Sequence, residues 1–103
     1  MPLQTKAELM SLIETHEKEL RIVGVRKLGL SGSFARGEQK VDSDVDVLVE
    51  FDPGQKKFDN FMGLSFFLED LFKRPVELVT AESLAPRIRP RILTTVEYAR
   101  LSS

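Results

Sequence analysis

Residues 32–49 read GSFARGEQKVDSDVDVLV, and this stretch decides the fold. It begins with a Gly32-Ser33 turn, which can present free backbone N–H groups to a phosphate. Ten residues later, Asp44-x-Asp46 opens an apolar run that is typical of a buried strand. Because side chains two apart on a strand share a face, we expect both aspartates to point the same way. Two carboxylates beside an anion cradle indicate a site for a Mg²⁺–nucleotide complex.

The flanking sequence predicts helices that alternate with three or four short strands. Thr5-x-x-Glu8 has the pattern of a capping box, which predicts a helix that runs to about Arg21. Apolar periodicity and turn signals predict the remaining elements, which are strands over 25–31, 45–51 and 76–80 and helices over 58–72 and from 92 to about 101. We therefore expect a single α/β (α+β) domain over residues 1–103, with a small mixed β-sheet flanked by helices.

The composition limits the chemistry that the chain can perform. Its 103 residues are 42% hydrophobic and 30% charged, which is typical of a globular domain. The net charge of −1 makes direct binding of nucleic acid unfavoured. No apolar run is long enough to span a membrane and no signal-peptide pattern opens the chain, so we expect a cytoplasmic protein. There is no Cys and one His, which leaves carboxylates to bind a hard cation such as Mg²⁺.

A third acid, Glu77, lies between apolar residues of the predicted strand over 76–80. An acid in so apolar a strand is costly unless it is paired. If this strand lies beside the one that begins at Val45, then Asp44, Asp46 and Glu77 form a carboxylate cluster that one or two Mg²⁺ ions would neutralise. Such a cluster suits metal-assisted nucleotidyl transfer, in which Glu77 is a ligand or the general base for an acceptor hydroxyl.

These motifs resemble those of the minimal nucleotidyltransferases, a family in the superfamily of DNA polymerase β. The resemblance rests on GSFARGE at 32–38 and SDVDVLV at 43–49, and it extends from the first helix to the strand over 76–80. It implies a palm-like nucleotidyltransferase fold and transfer of AMP from ATP. Many minimal members carry Asp where this chain has Glu77, and the wider superfamily admits either acid.

The resemblance also implies roles for individual residues and a partner. Ser33 and the N–H groups after Gly32 would bind the β- and γ-phosphates, and Arg36 is a further candidate for nucleotide binding. Asp44, Asp46 and Glu77 would be both the catalytic residues and the Mg²⁺ ligands. Minimal members in bacteria often act as antitoxins to a HEPN-domain ribonuclease, and some adenylylate that toxin on a tyrosine, which implies a HEPN-type protein partner here.

Several alternatives stay open at this point. The chain could neutralise a partner by contact alone, or modify an RNA end or a small molecule, although a small-molecule acceptor usually needs an added domain. Arg36 could bind a phosphate, orient Asp44 or form a salt bridge within its loop.

Other residues lie outside the motifs. The three arginines of 87–91 could bind the triphosphate, meet an acidic partner or form a solvated face. We expect Lys40, Lys73 and Arg74 to be solvated and His16 to pack against apolar residues. Phe66 is expected on the polar face of its helix, as a lone surface aromatic or as part of a partner-binding patch with Met62 and Phe67.

Overall fold

The computed structural model describes residues 4–101, which form five α-helices around a four-stranded sheet. The helices are α1 (Lys6–Thr15), α2 (Glu17–Ile22), α3 (Gly32–Arg36), α4 (Phe58–Phe72) and α5 (Arg89–Thr95). The strands are β1 (Val25–Ser31), β2 (Val45–Phe51), β3 (Val76–Thr80) and β4 (Glu97–Tyr98), in the spatial order β3-β2-β1-β4. β2 is antiparallel to β1 and parallel to β3, so the sheet is mixed as predicted.

The sheet divides the molecule into a packed side and an open side. Alternate strand residues such as Leu30, Val47 and Leu78 are buried in the core with residues of α1, α2 and α4. The intervening residues, including Asp46 and Glu77, lie on the opposite face because strand side chains alternate. This second face is covered only in part and forms the floor of a cleft.

The first helical segment differs from its prediction. Thr5 caps α1 by accepting a hydrogen bond from the Glu8 amide at 3.1 Å, but the predicted single helix is divided into α1 and α2 at His16. The His16 ring packs edge-on against Phe67 with 5.9 Å between ring centroids, which confirms its packing role. Phe66, on the other side of α4, is 62% exposed, as its position predicted.

The C-terminal prediction was wrong. Instead of a helix from Ile92 to Leu101, α5 begins at Arg89 and ends at Thr95, and β4 then pairs with β1. Pro90 is compatible with α5 because it lies in the first turn, where its missing N–H is not needed. The β4 pairing needs a glycine at position 29, since a Cβ there would lie 2.8 Å from the backbone oxygen of Glu97.

Across residues 4–101, every helix is too short or too polar to cross a membrane.

Candidate functional site

The centre of the site is a pair of carboxylates on adjacent parallel strands. Asp46 of β2 and Glu77 of β3 are direct partners in the β2–β3 register, so their side chains leave the same face of the sheet at neighbouring positions. Asp46 is half-buried and Glu77 is exposed. The condition set by the sequence analysis, that β3 lies beside β2, is thus met for Asp46 and Glu77.

The electrostatics of Asp46 follow from this arrangement. Burial raises the pKa of Asp46 above its ordinary value, and the charge of Glu77, a hydrogen bond with Glu77 and the charge of Asp44 raise that pKa further. The guanidinium of Arg36 acts in the opposite direction and lowers the pKa. Within the part of the chain that the structure describes, neither Asp46 nor Glu77 forms an ion pair. The pair therefore carries unbalanced negative charge.

Asp44 stands apart from this pair. It is exposed and precedes β2 by one residue, and it is absent from the lining of the cleft although its charge reaches Asp46. Among residues 4–101, no three acidic or histidine side chains lie close enough together to bind a metal ion as they stand. Of the predicted cluster, Asp46 and Glu77 form a close pair, and Asp44 is a third charge nearby. Their catalytic and metal-binding roles stay predictions.

Gly32 is held against Asp46. Its φ of +64° is in the left-handed region, and a Cβ built on it would lie 2.0 Å from Oδ2 of Asp46. Both observations require glycine, because an L side chain would be strained by the backbone and would collide with the carboxylate. The sequence-based role of Gly32 as a tight turn therefore gains a second reason, which is the close approach of Asp46.

Arg36 and Ser33 have different positions in the site. Arg36 lines the cleft and also forms a salt bridge with Glu38 (Nε to Oε1, 2.7 Å), so two of its predicted alternatives are compatible. Ser33 is within α3 and is absent from the cleft lining, whereas Ser31 at the end of β1 is part of it. The Ser31 hydroxyl donates a long hydrogen bond of 3.5 Å to the backbone oxygen of Asp46. Sequence reasoning missed Ser31, although strand alternation could have placed it on this face.

The cleft has a volume of about 590 Å³ and a wall made by the C-terminal part of the chain. Its floor carries Asp46, Glu77 and Val79, and its apolar wall includes Leu84 and Ile92. The lining is therefore mixed, with carboxylates from the sheet and mainly apolar residues from the segment after β3. A cavity of this size and this mixed lining is typical of small-molecule sites.

Arg74 supports the site from outside, and its predicted solvation was wrong. The residue is half-buried, and its guanidinium donates hydrogen bonds to the backbone oxygens of Val41 at 2.8 Å and Ser43 at 3.0 Å and lies 5.3 Å from the ring centroid of Phe34. These contacts tie the start of β3 to the loop that leads into Asp44. Lone charges in a sequence give no signal of such backbone capping, because the acceptors belong to a distant loop.

Comparison with known proteins agrees with this geometry. The model of the nucleotidyltransferase domain family matches residues 13–100. The protein adenylyltransferase MntA of Thermococcus cleftensis is 43% identical over 101 residues, covering 95% of this chain and 99% of the relative.

Two solved structures share the fold. One, described as a minimal nucleotidyltransferase, superposes with a TM-score of 0.79 at 30% identity and covers 94% of this chain and 98% of its own. A chain from the complex of a tri-AMPylated Shewanella oneidensis HEPN toxin with MNT antitoxin superposes with a TM-score of 0.61 at 18% identity. The superposition covers 90% of this chain and 73% of that chain. At that identity the second likeness shows the fold alone. The resemblance read from the motifs is confirmed, and the chain belongs to the nucleotidyltransferase domain family, whose members are nucleotide-transferring enzymes.

Proposed function

We propose that this chain is a Mg²⁺-dependent protein adenylyltransferase that moves AMP from ATP to a tyrosine hydroxyl of a HEPN-type toxin and so acts as its antitoxin. The observation that carries the proposal is the pair of Asp46 and Glu77 beside Gly32 and Arg36 in one cleft. The Thermococcus relative, named a protein adenylyltransferase, supports the reaction class. The AMPylated HEPN toxin in the complex that shares the fold supports the choice of acceptor.

The residues of the cleft fit a hard divalent cation. Asp46 and Glu77 supply only oxygen ligands, their charges repel one another, and neither forms an ion pair among the described residues. Oxygen ligands of this kind are preferred by Mg²⁺, which usually completes its shell with water and substrate phosphates. Asp46 and Glu77 would hold the ion with Asp44 as the third ligand, and the ion would stabilise the negative charge that develops on the phosphates.

The chain's own residues account for binding and orientation. Gly32 has no side chain, so the turn after β1 can lie directly against the Asp46 carboxylate, and Arg36 contributes a positive charge to the same cleft. In the reaction the acceptor oxygen bonds to the α-phosphorus, the bond from that phosphorus to the bridging oxygen breaks, and pyrophosphate leaves. The hydroxyl proton must pass to a base, and Glu77 is exposed, so an incoming hydroxyl can reach it unless it is used as a ligand.

Transfer of label from α-³²P-ATP with Mg²⁺ into a lysate of the source cells tests this function. We expect a labelled band that is present with the wild-type chain and absent with Asp46→Asn. Digestion and mass spectrometry of the band should find AMP on a tyrosine of a HEPN-type protein. AMP on another residue of that protein would contradict the tyrosine acceptor, and AMP on another class of acceptor would contradict the antitoxin proposal; either result would preserve the reaction class.

A contact-only antitoxin is distinguished by the same variant. If Asp46→Asn still neutralises the toxin in cells and the wild-type chain neither labels it nor binds ATP by calorimetry, neutralisation proceeds by contact. The proposed enzymatic function would then be wrong.

A further inference from the structure

The three arginines of residues 87–91 are separated by the structure into three different environments. Arg89 is used internally, because its guanidinium donates to the backbone oxygens of Ala81 at 3.0 Å and Leu84 at 3.1 Å. Arg87 is exposed and is not among the residues that line the cleft. Arg91 is also exposed, but it lines the cleft together with Asp46. Three residues that look equivalent in the sequence thus divide into an anchor, a surface charge and a cleft residue.

Arg91 lies on a face of α5 that is otherwise uncharged. The cleft residues at this end of the chain are Ile88, Arg91, Ile92 and Thr95, whose spacing of three, four and seven residues defines one helix face. Arg91 is the charged residue that this face contributes to the cleft. The Arg89 contacts fix the start of α5 to the segment that follows β3, and so help to place this face at the cleft.

The Arg91 guanidinium has no ion-pair partner among residues 4–101, although two carboxylates line the same cleft. Over the same range, only the backbone oxygen of Arg91 accepts a side-chain hydrogen bond, from the Thr95 hydroxyl at 3.1 Å. A positive group and two negative groups that share a cavity without pairing leave space for a ligand that carries its own charge. The planar guanidinium presents several donors in a geometry that matches phosphate oxygens.

We propose that Arg91 binds the phosphates of the nucleotide, so that α5 and Arg36 hold the triphosphate from two sides of the cleft. The inference rests on the proposed function, since it requires a nucleoside triphosphate in this cleft. It makes Arg91 a phosphate-binding residue contributed by a segment that lies after β3. The apolar residues around it would leave the nucleoside end of the ligand against Leu84, Ile88 and Ile92.

The test compares Arg91→Gln with Arg87→Gln, which removes the same charge from the same segment outside the cleft. Binding of ATP and of inorganic tripolyphosphate, each with Mg²⁺, is measured by calorimetry at physiological ionic strength. Arg91→Gln should weaken both by about 10- to 100-fold, because a charge-assisted bond to phosphate is lost. Arg87→Gln should change neither by more than about 3-fold, since Arg87 is exposed, does not line the cleft and is screened by salt. Arg91→Lys should recover part of the loss.

The outcomes separate the inference from the proposed function. Equal affinities for wild type, Arg91→Gln and Arg87→Gln would overturn the role of Arg91 and leave the nucleotide site intact. A loss for ATP but not for tripolyphosphate would also overturn it, because the effect would then come from the nucleoside end. Failure of the wild-type chain to bind either probe would overturn both proposals.

Discussion

Replacing Gly32 by alanine tests the close approach between the turn after β1 and the carboxylate of Asp46. The matched control is Gly37→Ala in the same segment. Both glycines have left-handed backbones, with φ of +64° and +71° respectively. A Cβ at Gly32 would lie 2.0 Å from Asp46 Oδ2, whereas a Cβ at Gly37 has no atom within 4 Å. The two substitutions therefore impose the same kind of backbone strain, and only Gly32→Ala adds a collision.

The magnitudes follow from that difference. Each alanine should cost about 1 kcal/mol of unfolding free energy for the left-handed backbone. In Gly32→Ala the 2.0 Å contact must open to at least 3.0 Å, so the Asp46 carboxylate or the turn has to move by 1 Å or more. A displacement of about 1 Å at a reacting centre costs on the order of 100-fold in rate. Because a carboxylate can rotate away, the added loss of stability should be only about 1 kcal/mol.

Urea denaturation gives the unfolding free energies, and AMP transfer from α-³²P-ATP, corrected for the folded fraction, gives the rates. We expect both variants to be moderately destabilised while only Gly32→Ala loses about 100-fold in transfer. If Gly32→Ala transferred AMP as fast as Gly37→Ala, the contact between Gly32 and Asp46 would not matter for the reaction. If only Gly37→Ala lost activity, the reaction would depend on the backbone at Gly37 and not on the contact between Gly32 and Asp46.

Three further substitutions probe the surroundings of the site. Asp46→Asn should abolish AMP transfer but raise the unfolding free energy of the metal-free protein by up to about 1 kcal/mol, because it removes a half-buried charge that repels Glu77. Urea denaturation in EDTA measures this change, and a loss of stability would contradict the reasoning. Arg74→Met should lower the unfolding free energy by about 1.5–3 kcal/mol, because it leaves loop carbonyls without their donor. The neighbouring Lys73→Met removes an exposed ion pair and should change the unfolding free energy by less than about 0.5 kcal/mol. Similar losses for both variants would refute the capping role of Arg74. Gly29→Ala should displace β4, since its Cβ would meet the β4 backbone at 2.8 Å. Hydrogen exchange should then show that the backbone amides of β4 lose protection while those of β2 keep it. Unaltered protection in β4 would argue against the contact.

The three long strands were predictable because their signal is local. Each is bounded by turn residues, and β2 combines a buried apolar side with acids on the other, so alternation alone places Asp46 on the open face. The neighbouring position of Glu77 then follows once β3 is parallel to β2. The sequence could therefore predict the fold and the pair of carboxylates at its centre.

The C-terminal part was less predictable because its structure depends on distant residues. β4 has only two residues and exists because β1 offers a free edge and Gly29 allows close approach. α5 buries no side chain completely, so it leaves little apolar periodicity by which to locate it. For the same reason the three arginines of 87–91 could not be separated by sequence, since the acceptors of Arg89 are backbone oxygens.

The charges in the cleft explain why its central residues lower the stability of the folded chain when no ligand is bound. Asp46 is half-buried next to Glu77, and burial and the charge of Glu77 both raise its pKa, so its ionised form destabilises the folded chain at neutral pH. Arg91 could neutralise this pair by moving closer, yet no ion pair joins them among residues 4–101. A fold selected for stability alone would close such a gap or replace the acid. An arrangement that leaves charges of both signs unpaired in one cavity gains stability when a charged ligand binds, which is the property that a phosphate-transferring site requires.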